Sequence, residues 1–515
     1  MKYSFTVLLS IICYWSLAQK SPDTYVNHIN AKTARLHLEY LAGEELEGRE
    51  TGKVGQKKAA VYLSQQFNSY GLPQVKGSYF QRFPVREITP QNIEVTINGK
   101  SLKFMKDFLH NSDFNDDTIS GASLVFAGYG IEDSEYNDFA NIDVKEKIII
   151  IRDGEPVDKK GVKKLSGTSA NSKWNKRSEK INLAIRKGAI GVIVINESVA
   201  VYRKSYKHYF SKSKMKLQSD PYKYSIPIVS IDEVLADSLL KVGGLRKGFK
   251  KTFAKINKKG KSKSTNLSLK CSITSHMINN DITSENVLGF VEGTDLKDEI
   301  LIVTAHYDHI GKDGDVIFYG ADDDGSGTTA LLMMAEAFAK AKEKGHGPRR
   351  SVLFMPVSAE EKGLLGSRYY SENPIFPLAN TVADLNIDMI GRIDEPHEGN
   401  PDYVYIIGSN FLSTDLHNIN ETQNKLHTKL QLDYTFNSVD DANNFYRRSD
   451  HYNFAKNGIP VIFYFNGVHE DYHQPSDTVD KIDFNKLSKI TRLVFYTAWE
   501  IANRTERPLV DGDVK

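Results

Sequence analysis

The chain has 515 residues and a formal net charge of +2, and 40% of its residues are apolar and 26% charged. This composition is that of an ordinary soluble protein, and the length excludes a single hydrophobic core, so we expect two or three domains. The near-neutral net charge argues neither for nor against a nucleic-acid partner, and we expect none.

The N-terminus has the pattern of a secretory signal. Lys2 precedes an apolar run over residues 5–15, and Ser16 and Ala18 occupy the −3 and −1 positions of a cleavage site. The run is too short to span a bilayer comfortably, and no later segment is long and apolar enough to do so. We therefore predict a signal peptide over residues 1–18, a location in the periplasm or outside the cell, and no stable membrane anchor after cleavage. An uncleaved signal anchor is the alternative.

The cysteine content excludes an internal disulfide after cleavage. The chain has two cysteines, and Cys13 lies inside the predicted signal, which leaves Cys271 alone. An exported protein without disulfides must rely on core burial, on metal binding or on both.

Two helices are predicted near the N-terminus. Apolar residues recur at helical spacing in segments 28–52 and 55–72, and Gly71 provides a stop signal for the second helix. Strands are expected to follow, up to about residue 110.

Near residue 115 the pattern changes to short apolar segments. Strands are predicted at 121–131, 146–154 and 225–231, and a helix, a glycine turn and a buried strand at 179–196. The segment 241–263 follows, with ten basic residues in twenty-three. Such a charge run predicts a solvated surface or a flexible segment, with attraction to an anionic surface as the alternative.

From about residue 280 strands and helices alternate to the end of the chain. Strands are predicted in segments 286–294, 299–311, 350–361, 381–391, 403–409 and 459–467. Helices are predicted over segments 327–344 and 485–504. This alternation predicts an α/β fold in which helices flank both faces of a mostly parallel central sheet.

Metal-ligating residue types cluster where these predicted strands end, which is where α/β folds bind ligands. The residues are His306 and Asp308, the adjacent Asp322, Asp323 and Asp324, the pair Glu360 and Glu361, Asp388, and His473. His306 and Asp308 are two apart, so their side chains leave the strand on the same face. Each residue alone has an ordinary structural explanation, but five such pieces at the strand ends of one domain are hard to explain as independent accidents.

Imidazole and carboxylate ligands together suit zinc, with Mn or Co as alternatives. Two metal ions about 3.5–4 Å apart need a shared carboxylate and further ligands on each side. Two histidines and three or four carboxylates meet that requirement. A carboxylate that binds no metal could act as general base on water, and composition alone leaves open which of Glu360 and Glu361 would do so.

The same segments carry a resemblance to a known family. The motifs "AHYDHIG", "GADDDGSGT", "SAEEKGLLGS", "NIDMIG", "RRSDHYNF" and "YHQPSDT" occur in the order found in the co-catalytic zinc aminopeptidases. That family includes bacterial leucyl aminopeptidases and aminopeptidase Y, together with glutamate carboxypeptidases and glutaminyl cyclases. Residues of about 115–270, with "GYGI", "KGAIGVIVIN" and "IPIVSI", resemble a protease-associated (PA) domain inserted into that family's catalytic domain.

The resemblance implies a zinc exopeptidase fold with two zinc ions per chain. It implies that Asp323 bridges the ions, that His306 and Asp388 complete the first site, and that Glu361 and His473 complete the second. Asp322 stands where the family more often has Asn, which leaves open the choice between Asp322 and Asp323 as the bridge. Asp324 is placed to cap the following helix.

The remaining roles also follow from the resemblance. Glu360 would be the general base, and Asp308 would orient His306 through the other ring nitrogen. Tyr472 could donate to the developing oxyanion. Arg448 and Phe465 match family positions that line the substrate site.

The sequence therefore predicts an exported zinc aminopeptidase that hydrolyses N-terminal residues from peptides with a free amine. The expected domains are the signal 1–18, the catalytic segments 19–114 and 273–515, and a smaller, β-rich PA insertion at 115–272. A carboxypeptidase or dipeptidase of the same family is the alternative, followed by a glutaminyl cyclase or a non-catalytic binding ectodomain. The sequence does not predict the oligomeric state.

Overall fold

The computed structural model describes residues 21–110, 117–205 and 213–514, without the side chains of 203–205. The predicted signal peptide and Cys13 lie outside the described residues. The chain divides into two compact units. Of the described residues, the discontinuous unit comprises those up to Pro84 and from Thr283 onward, and the inserted unit comprises those within Val85–Ile282.

The discontinuous unit is built on a mostly parallel sheet. Among the described residues its strands lie in the order Gly289–Val291, Arg350–Val357, Leu296–His306, Thr381–Ile387, Val461–Phe465, Tyr403–Ile407 and Gln431–Asp433. The four central neighbours from Arg350–Val357 to Val461–Phe465 pair in parallel. Gly289–Val291 pairs antiparallel with Arg350–Val357, and Tyr403–Ile407 pairs antiparallel with Val461–Phe465. The edge strand Gln431–Asp433 pairs in parallel with Tyr403–Ile407.

Helices cover both faces of this sheet, as the sequence predicts. Along the strand Leu296–His306, Leu301, Val303 and Ala305 contribute to one core and Ile300 and Ile302 to the other, because alternate side chains point to opposite faces. The first core also contains side chains of the helices Ala31–Leu41, Val54–Ser69, Gly327–Glu343, Thr414–Gln423 and Phe484–Asn503. The second contains side chains of the helices Leu365–Glu372 and His451–Ala455.

The inserted unit has its own α/β core. Its sheet order is Lys100–Leu102, Phe80–Ile97, Thr265–Val287, Asp117–Phe126, Ile148–Arg152, Gly191–Ile195, Ile228–Ile231 and Phe108–His110, with Lys214–Leu217 beside Phe80–Ile97. The strands from Asp117–Phe126 to Ile228–Ile231 are parallel. In the described part of this unit, the α-helices are Arg177–Arg186, Val199–Ser205, Glu233–Val242 and Gly248–Lys259. The predicted α/β class is confirmed for both units.

The inserted unit begins before and ends after the expected insertion 115–272. Hydrogen-bonded pairing is the reason, because residues 85–88 pair with Lys214–Leu217, and Ser275 pairs with Asp117. Strands that were assigned to the flanking segments from the sequence therefore belong to this sheet.

The lysine-rich segment 241–263 contains an ordered amphipathic helix, Gly248–Lys259. Phe249, Phe253 and Ile256 recur at helical spacing and are buried in the core of the inserted unit. The predicted solvated surface is thus one face of a packed helix, and the expectation of a flexible segment is wrong for these residues. No helix among the described residues is long and apolar enough to cross a membrane.

Candidate metal centre

The candidate ligands meet because neighbouring parallel strands end at the same edge of the sheet. His306 is the last residue of Leu296–His306 and pairs with Val357 at the end of the next strand. Glu360 follows that strand, and Asp388 follows Thr381–Ile387 on the other side. An irregular helical turn, Ala321–Ser326, carries the three aspartates to the same edge and leads directly into the helix Gly327–Glu343.

The first cluster groups His306, Asp323 and Asp388 as potential metal ligands. His306 Nε2 lies 3.1 Å from Asp323 Oδ1 and 3.5 Å from Asp388 Oδ1. Ser449 Oγ donates to Asp388 Oδ2 at 2.7 Å, which leaves Oδ1 facing the cluster. Asn386 in turn donates to Ser449 Oγ at 2.8 Å, so the carboxylate is held by a buried chain of hydrogen bonds.

The second cluster shares Asp323 with the first. Asp323 Oδ2 lies 3.0 Å from His473 Nε2, whereas Oδ1 faces His306. Glu361 Oε2 lies 3.3 Å from His473 Nε2, and Glu361 Oε1 lies 2.9 Å from His309 Nδ1. One carboxylate therefore offers one oxygen to each of two ligand clusters, which is the arrangement that a bridged pair of metal ions requires.

The three adjacent aspartates point in different directions. Asp322 Oδ1 accepts from the Gly391 amide at 2.6 Å, and Oδ2 lies 3.3 Å from His469 Nε2, so this carboxylate faces away from both clusters. Asp324 accepts from the amides of Gly327 at 2.8 Å, Met389 at 3.1 Å and His306 at 3.0 Å. Asp324 thus caps the following helix and ties two ligand-bearing segments together, and only Asp323 faces both clusters.

The contacts of Asp308 differ from the expectation that its carboxylate orients the His306 ring. His306 Nδ1 lies 3.0 Å from the backbone carbonyl oxygen of Asp308 but 4.0 Å from its carboxylate. The carboxylate accepts instead from the Glu360 amide at 3.2 Å and from Thr51 Oγ1 at 2.6 Å. The main chain of Asp308 therefore orients the His306 ring, and its side chain holds the segment that carries Glu360 and Glu361.

A buried arginine supports the loops beneath the clusters. Arg49 is 0% exposed and donates to four backbone carbonyl oxygens. Their residues are Leu41 at 2.5 Å and Tyr307, Tyr319 and Gly320, each at 2.8 Å. The last three flank His306 and the acidic turn, so one guanidinium fixes the spacing between them.

The electrostatics of the site call for a cation. Burial alone would raise the pKa of Asp323, but the adjacent imidazoles of His306 and His473 hold that pKa well below its usual value. Burial alone would lower the pKa of His473, but the carboxylates of Glu361 and Asp323 raise it to about 11. Burial raises the pKa of Glu360 well above its usual value, and Glu361 adds to this shift, although His306 opposes it. Closely spaced buried acids of this kind are stabilised by bound divalent ions.

Unpartnered polar atoms test whether these residues fit a metal. Among the described residues, Asp323 Oδ2, Glu361 Oε1 and both ring nitrogens of His309 are buried and form no hydrogen bond. Buried polar atoms nearly always have partners, and three of these atoms, Asp323 Oδ2, Glu361 Oε1 and His309 Nδ1, lie close together. The donor set of carboxylate oxygens and imidazole nitrogens fits zinc and other late divalent ions of the first transition row.

A cavity of ≈ 370 Å³, its open mouth included, adjoins the clusters. Its wall includes His306, Asp323, Glu360, Asp388 and His473, the apolar Met389, Phe445, Phe463, Phe465 and Val468, and the polar Arg448 and Tyr472. Arg448 Nη2 donates to the Tyr472 hydroxyl at 3.3 Å, and the Tyr472 ring stacks on His473 with centroids 3.9 Å apart. The structure therefore brings the sequence-predicted site residues together, with Asp308 beneath the wall and the others lining the clusters or the cavity.

The sequence analysis missed His309, Arg49 and Ser449. His309 stands inside the motif "AHYDHIG", three residues after His306, and its residue type was the available signal. Nothing in the sequence marks Arg49 or Ser449, because their contacts join segments far apart in the chain.

Comparisons with known proteins give matches to two families and to several curated relatives. Residues 286–498 match the model of peptidase family M28, and residues 120–239 match that of the PA domain. A probable leucine aminopeptidase of Trichophyton verrucosum is 30% identical over 236 residues, which cover 44% of this chain and 61% of the relative. Aminopeptidase YwaD of Bacillus subtilis is 27% identical over 234 residues, covering 44% of this chain and 46% of the relative. The chain thus matches about half to three fifths of the length of these curated relatives.

Solved structures share the fold over nearly the whole chain. An aminopeptidase from Aneurinibacillus sp. strain AM-1 superposes with a TM-score of 0.61 at 19% identity, covering 96% of this chain and 98% of that chain. The zinc aminopeptidase BSAP from Bacillus subtilis superposes with a TM-score of 0.53 at 20% identity, covering 95% and 99%. The predicted family resemblance is confirmed, because residues 286–498 match peptidase family M28 and residues 120–239 match the PA domain.

Proposed function

We propose that the protein is a two-metal aminopeptidase that removes N-terminal residues from peptides with a free amine. The observation that carries the proposal is the Asp323 carboxylate, which offers one oxygen to each of two ligand clusters. The names of the similar proteins, leucine aminopeptidase and zinc aminopeptidase, support the choice of reaction and of zinc, with Mn or Co as alternatives.

The first metal would be held by His306, Asp323 and Asp388, and the second by Asp323, Glu361 and His473. When bound, such ions polarise the scissile carbonyl and lower the pKa of water.

Glu360 is the candidate general base. It belongs to neither ligand cluster, lines the cavity and lies 3.9 Å from His306 Nε2 at the edge of the first cluster. Its raised pKa suits a group that takes a proton from the attacking water and returns it to the leaving amine near neutral pH. The Tyr472 hydroxyl, which already accepts from Arg448, is free to donate its own proton toward the developing oxyanion.

The apolar wall favours an uncharged N-terminal side chain. Phe445, Phe463 and Phe465 are buried beside the clusters, so an aliphatic or aromatic side chain would displace water there. The carboxylates in the wall of the same cavity would attract the substrate's ammonium group.

One observation favours carboxypeptidase activity as the second candidate. Arg448 is exposed at the cavity wall, and a guanidinium can bind a substrate carboxylate in bidentate fashion. The two candidates differ in which terminus of the peptide enters the cavity.

The test compares a peptide with a free N-terminus and its N-acetylated counterpart, with chelator and with zinc added back. Cleavage of the free-amine peptide alone, lost with chelator and restored by zinc, is the expected result. Equal cleavage of the acetylated peptide from its C-terminus would establish the carboxypeptidase instead. If zinc binds and neither peptide is cleaved, the proposed reaction is refuted.

Export is part of the proposal and rests on residues 1–18 alone. Fusing these residues to a reporter enzyme should direct the reporter out of the cytoplasm, with processing after Ala18 detected by N-terminal sequencing of the exported product. Retention of the whole reporter in the cytoplasm would contradict export.

A further inference from the structure

We propose that His309 is a direct ligand of the second metal ion, so that this site takes two imidazoles, from His309 and His473, together with Asp323 and Glu361. The inference rests on the proposed two-metal function and extends it to a residue that the family resemblance does not assign. The cognate ion is a late first-row divalent cation that prefers nitrogen ligands, with zinc first.

The distances around the second cluster suit coordination. His309 Nδ1 lies 2.9 Å from Glu361 Oε1 and 3.8 Å from Asp323 Oδ2. Ligand atoms about 2.0–2.2 Å from a tetrahedral zinc lie roughly 3.3–3.6 Å from one another. The distances from His309 bracket that range. His473 Nε2 approaches the same two carboxylates at 3.0 and 3.3 Å, so both rings face the same pair of acids.

The burial of His309 argues against a purely structural role. The ring is 0% exposed, and among the described residues neither of its nitrogens forms a hydrogen bond. Although Nδ1 and Glu361 Oε1 are close, they do not meet at a hydrogen-bonding angle, and Oε1 also has no other partner. Buried polar atoms left in this way cost free energy, and an ion between Nδ1 and Oε1 removes the cost at those two atoms.

The backbone holds the ring in place from two sides. The His309 amide donates to the carbonyl oxygen of Arg49 at 3.2 Å, which joins this segment to the buried loop that Arg49 anchors. On the other side the ring lies against Gly320, where an added Cβ would come within 2.5 Å of His309 Cγ. Gly320 also has a φ of +58°, so both its backbone conformation and its lack of a side chain make room for the ring.

A fourth protein ligand has a consequence for the two sites. The first cluster has one imidazole and two carboxylates, whereas the second would have two of each. The second ion would be held more tightly, would keep fewer positions open to solvent, and would select nitrogen-preferring ions more strongly than the first.

The test measures metal binding and does not depend on turnover. Full-length protein is stripped with chelator and titrated with Zn²⁺ against a chromophoric chelator, for the wild type, His309→Ala and the control His37→Ala. His37 is also buried in the discontinuous unit, but it contacts Tyr62 and no candidate ligand. Loss of a residue that merely orients a ligand weakens binding about 10–100-fold. We expect His309→Ala to weaken one of the two sites by more than about 100-fold. His37→Ala should keep the wild-type affinities.

A second variant gives a positive signal and covers the case in which His309→Ala misfolds. Nδ1 is the ring nitrogen nearer the main chain, so the thiolate of His309→Cys is directed toward the metal position proposed for Nδ1. Loaded with Co²⁺, this variant should gain a thiolate-to-cobalt charge-transfer band that the wild type lacks, since Cys271 is buried in the other unit.

The outcomes separate this inference from the proposed function. If the wild type binds two ions and His309→Ala binds both with wild-type affinity, His309 is no ligand although the two-metal proposal stands. If His309→Cys binds Co²⁺ without the new band, the inference is likewise overturned. If the wild type itself binds no zinc, the proposed function is refuted, and the inference that rests on it is refuted with it.

Discussion

Replacing Arg49 with lysine should destabilise the discontinuous unit and weaken both metal sites. The Arg49 guanidinium donates from all three nitrogens to four buried carbonyl oxygens, which belong to Leu41, Tyr307, Tyr319 and Gly320. A lysine keeps the positive charge but carries its donors on one atom, so it cannot reproduce the planar fork.

The magnitude follows from the acceptors that lose their donor. An ammonium group at this position can reach about two of the four carbonyls, which leaves about two buried and unsatisfied. Each such group costs about 1–3 kcal/mol, so the free energy of unfolding should fall by about 2–6 kcal/mol. That is a large fraction of the roughly 5–15 kcal/mol that stabilises a typical protein.

The assay is urea unfolding of the apo protein together with zinc titration, for Arg49→Lys and a control, Arg35→Lys. Arg35 is half exposed and pairs with Glu39 across one helical turn at 3.6 Å, so its replacement should cost less than about 1 kcal/mol. Zinc affinity should fall in Arg49→Lys because Tyr319 and Gly320 lead into the acidic turn. If Arg49→Lys unfolds like the control and binds zinc like the wild type, the guanidinium does not support the site as argued.

Four further outcomes are expected. Glu360→Gln should lower kcat by about 10²–10⁴-fold with unchanged zinc content; unchanged turnover would refute its role as base. Ser449→Ala removes the donor to Asp388 and should weaken zinc binding about 10–100-fold, and an unaltered affinity would show that the hydrogen bond is dispensable. Burial lowers the pKa of the His37 ring from 6.5 to about 4. As the pH falls from 6.5 to about 4, the ring takes up a proton in the unfolded state before it does so in the folded state, so the free energy of unfolding decreases. His37→Gln lacks this group, so its free energy of unfolding should decrease over the same pH range by about 3 kcal/mol less than that of the wild type. Parallel pH profiles for the wild type and the variant would contradict this. Burial raises the pKa of Cys271 to about 12, so a thiol reagent should label it only after unfolding; rapid labelling of the native protein would show that the site opens.

The elements of the fold were predictable because hydrophobic periodicity is a local property. The strand Leu296–His306 and the helices Gly327–Glu343 and Phe484–Asn503 appear in the sequence as runs of the correct period. The convergence of His306, Glu361 and Asp388 was also predictable, since residues that follow parallel strands meet at one edge of the sheet.

The units were harder to delimit. The strands Phe80–Ile97 and Thr265–Val287 carry the chain between the two units, so no change of composition marks the point where one core ends. Pairing with partners such as Lys214–Leu217 decided which sheet these residues join, and that pairing spans more than a hundred residues of chain.

By itself the sequence determined the fold class, the family resemblance and the residue types at the candidate site. Only the tertiary structure separated Asp323 from Asp322, because the two differ in side-chain direction and not in chemistry. It likewise showed that the main-chain carbonyl of Asp308, and not the carboxylate, orients the His306 ring. Finally, it brought His309 to the second cluster, through contacts with Arg49 and Gly320. The physical reason is the same in each case: a hydrogen bond or a metal ligand is defined to within tenths of an ångström by segments distant in the chain, whereas sequence patterns report only local periodicity and residue type.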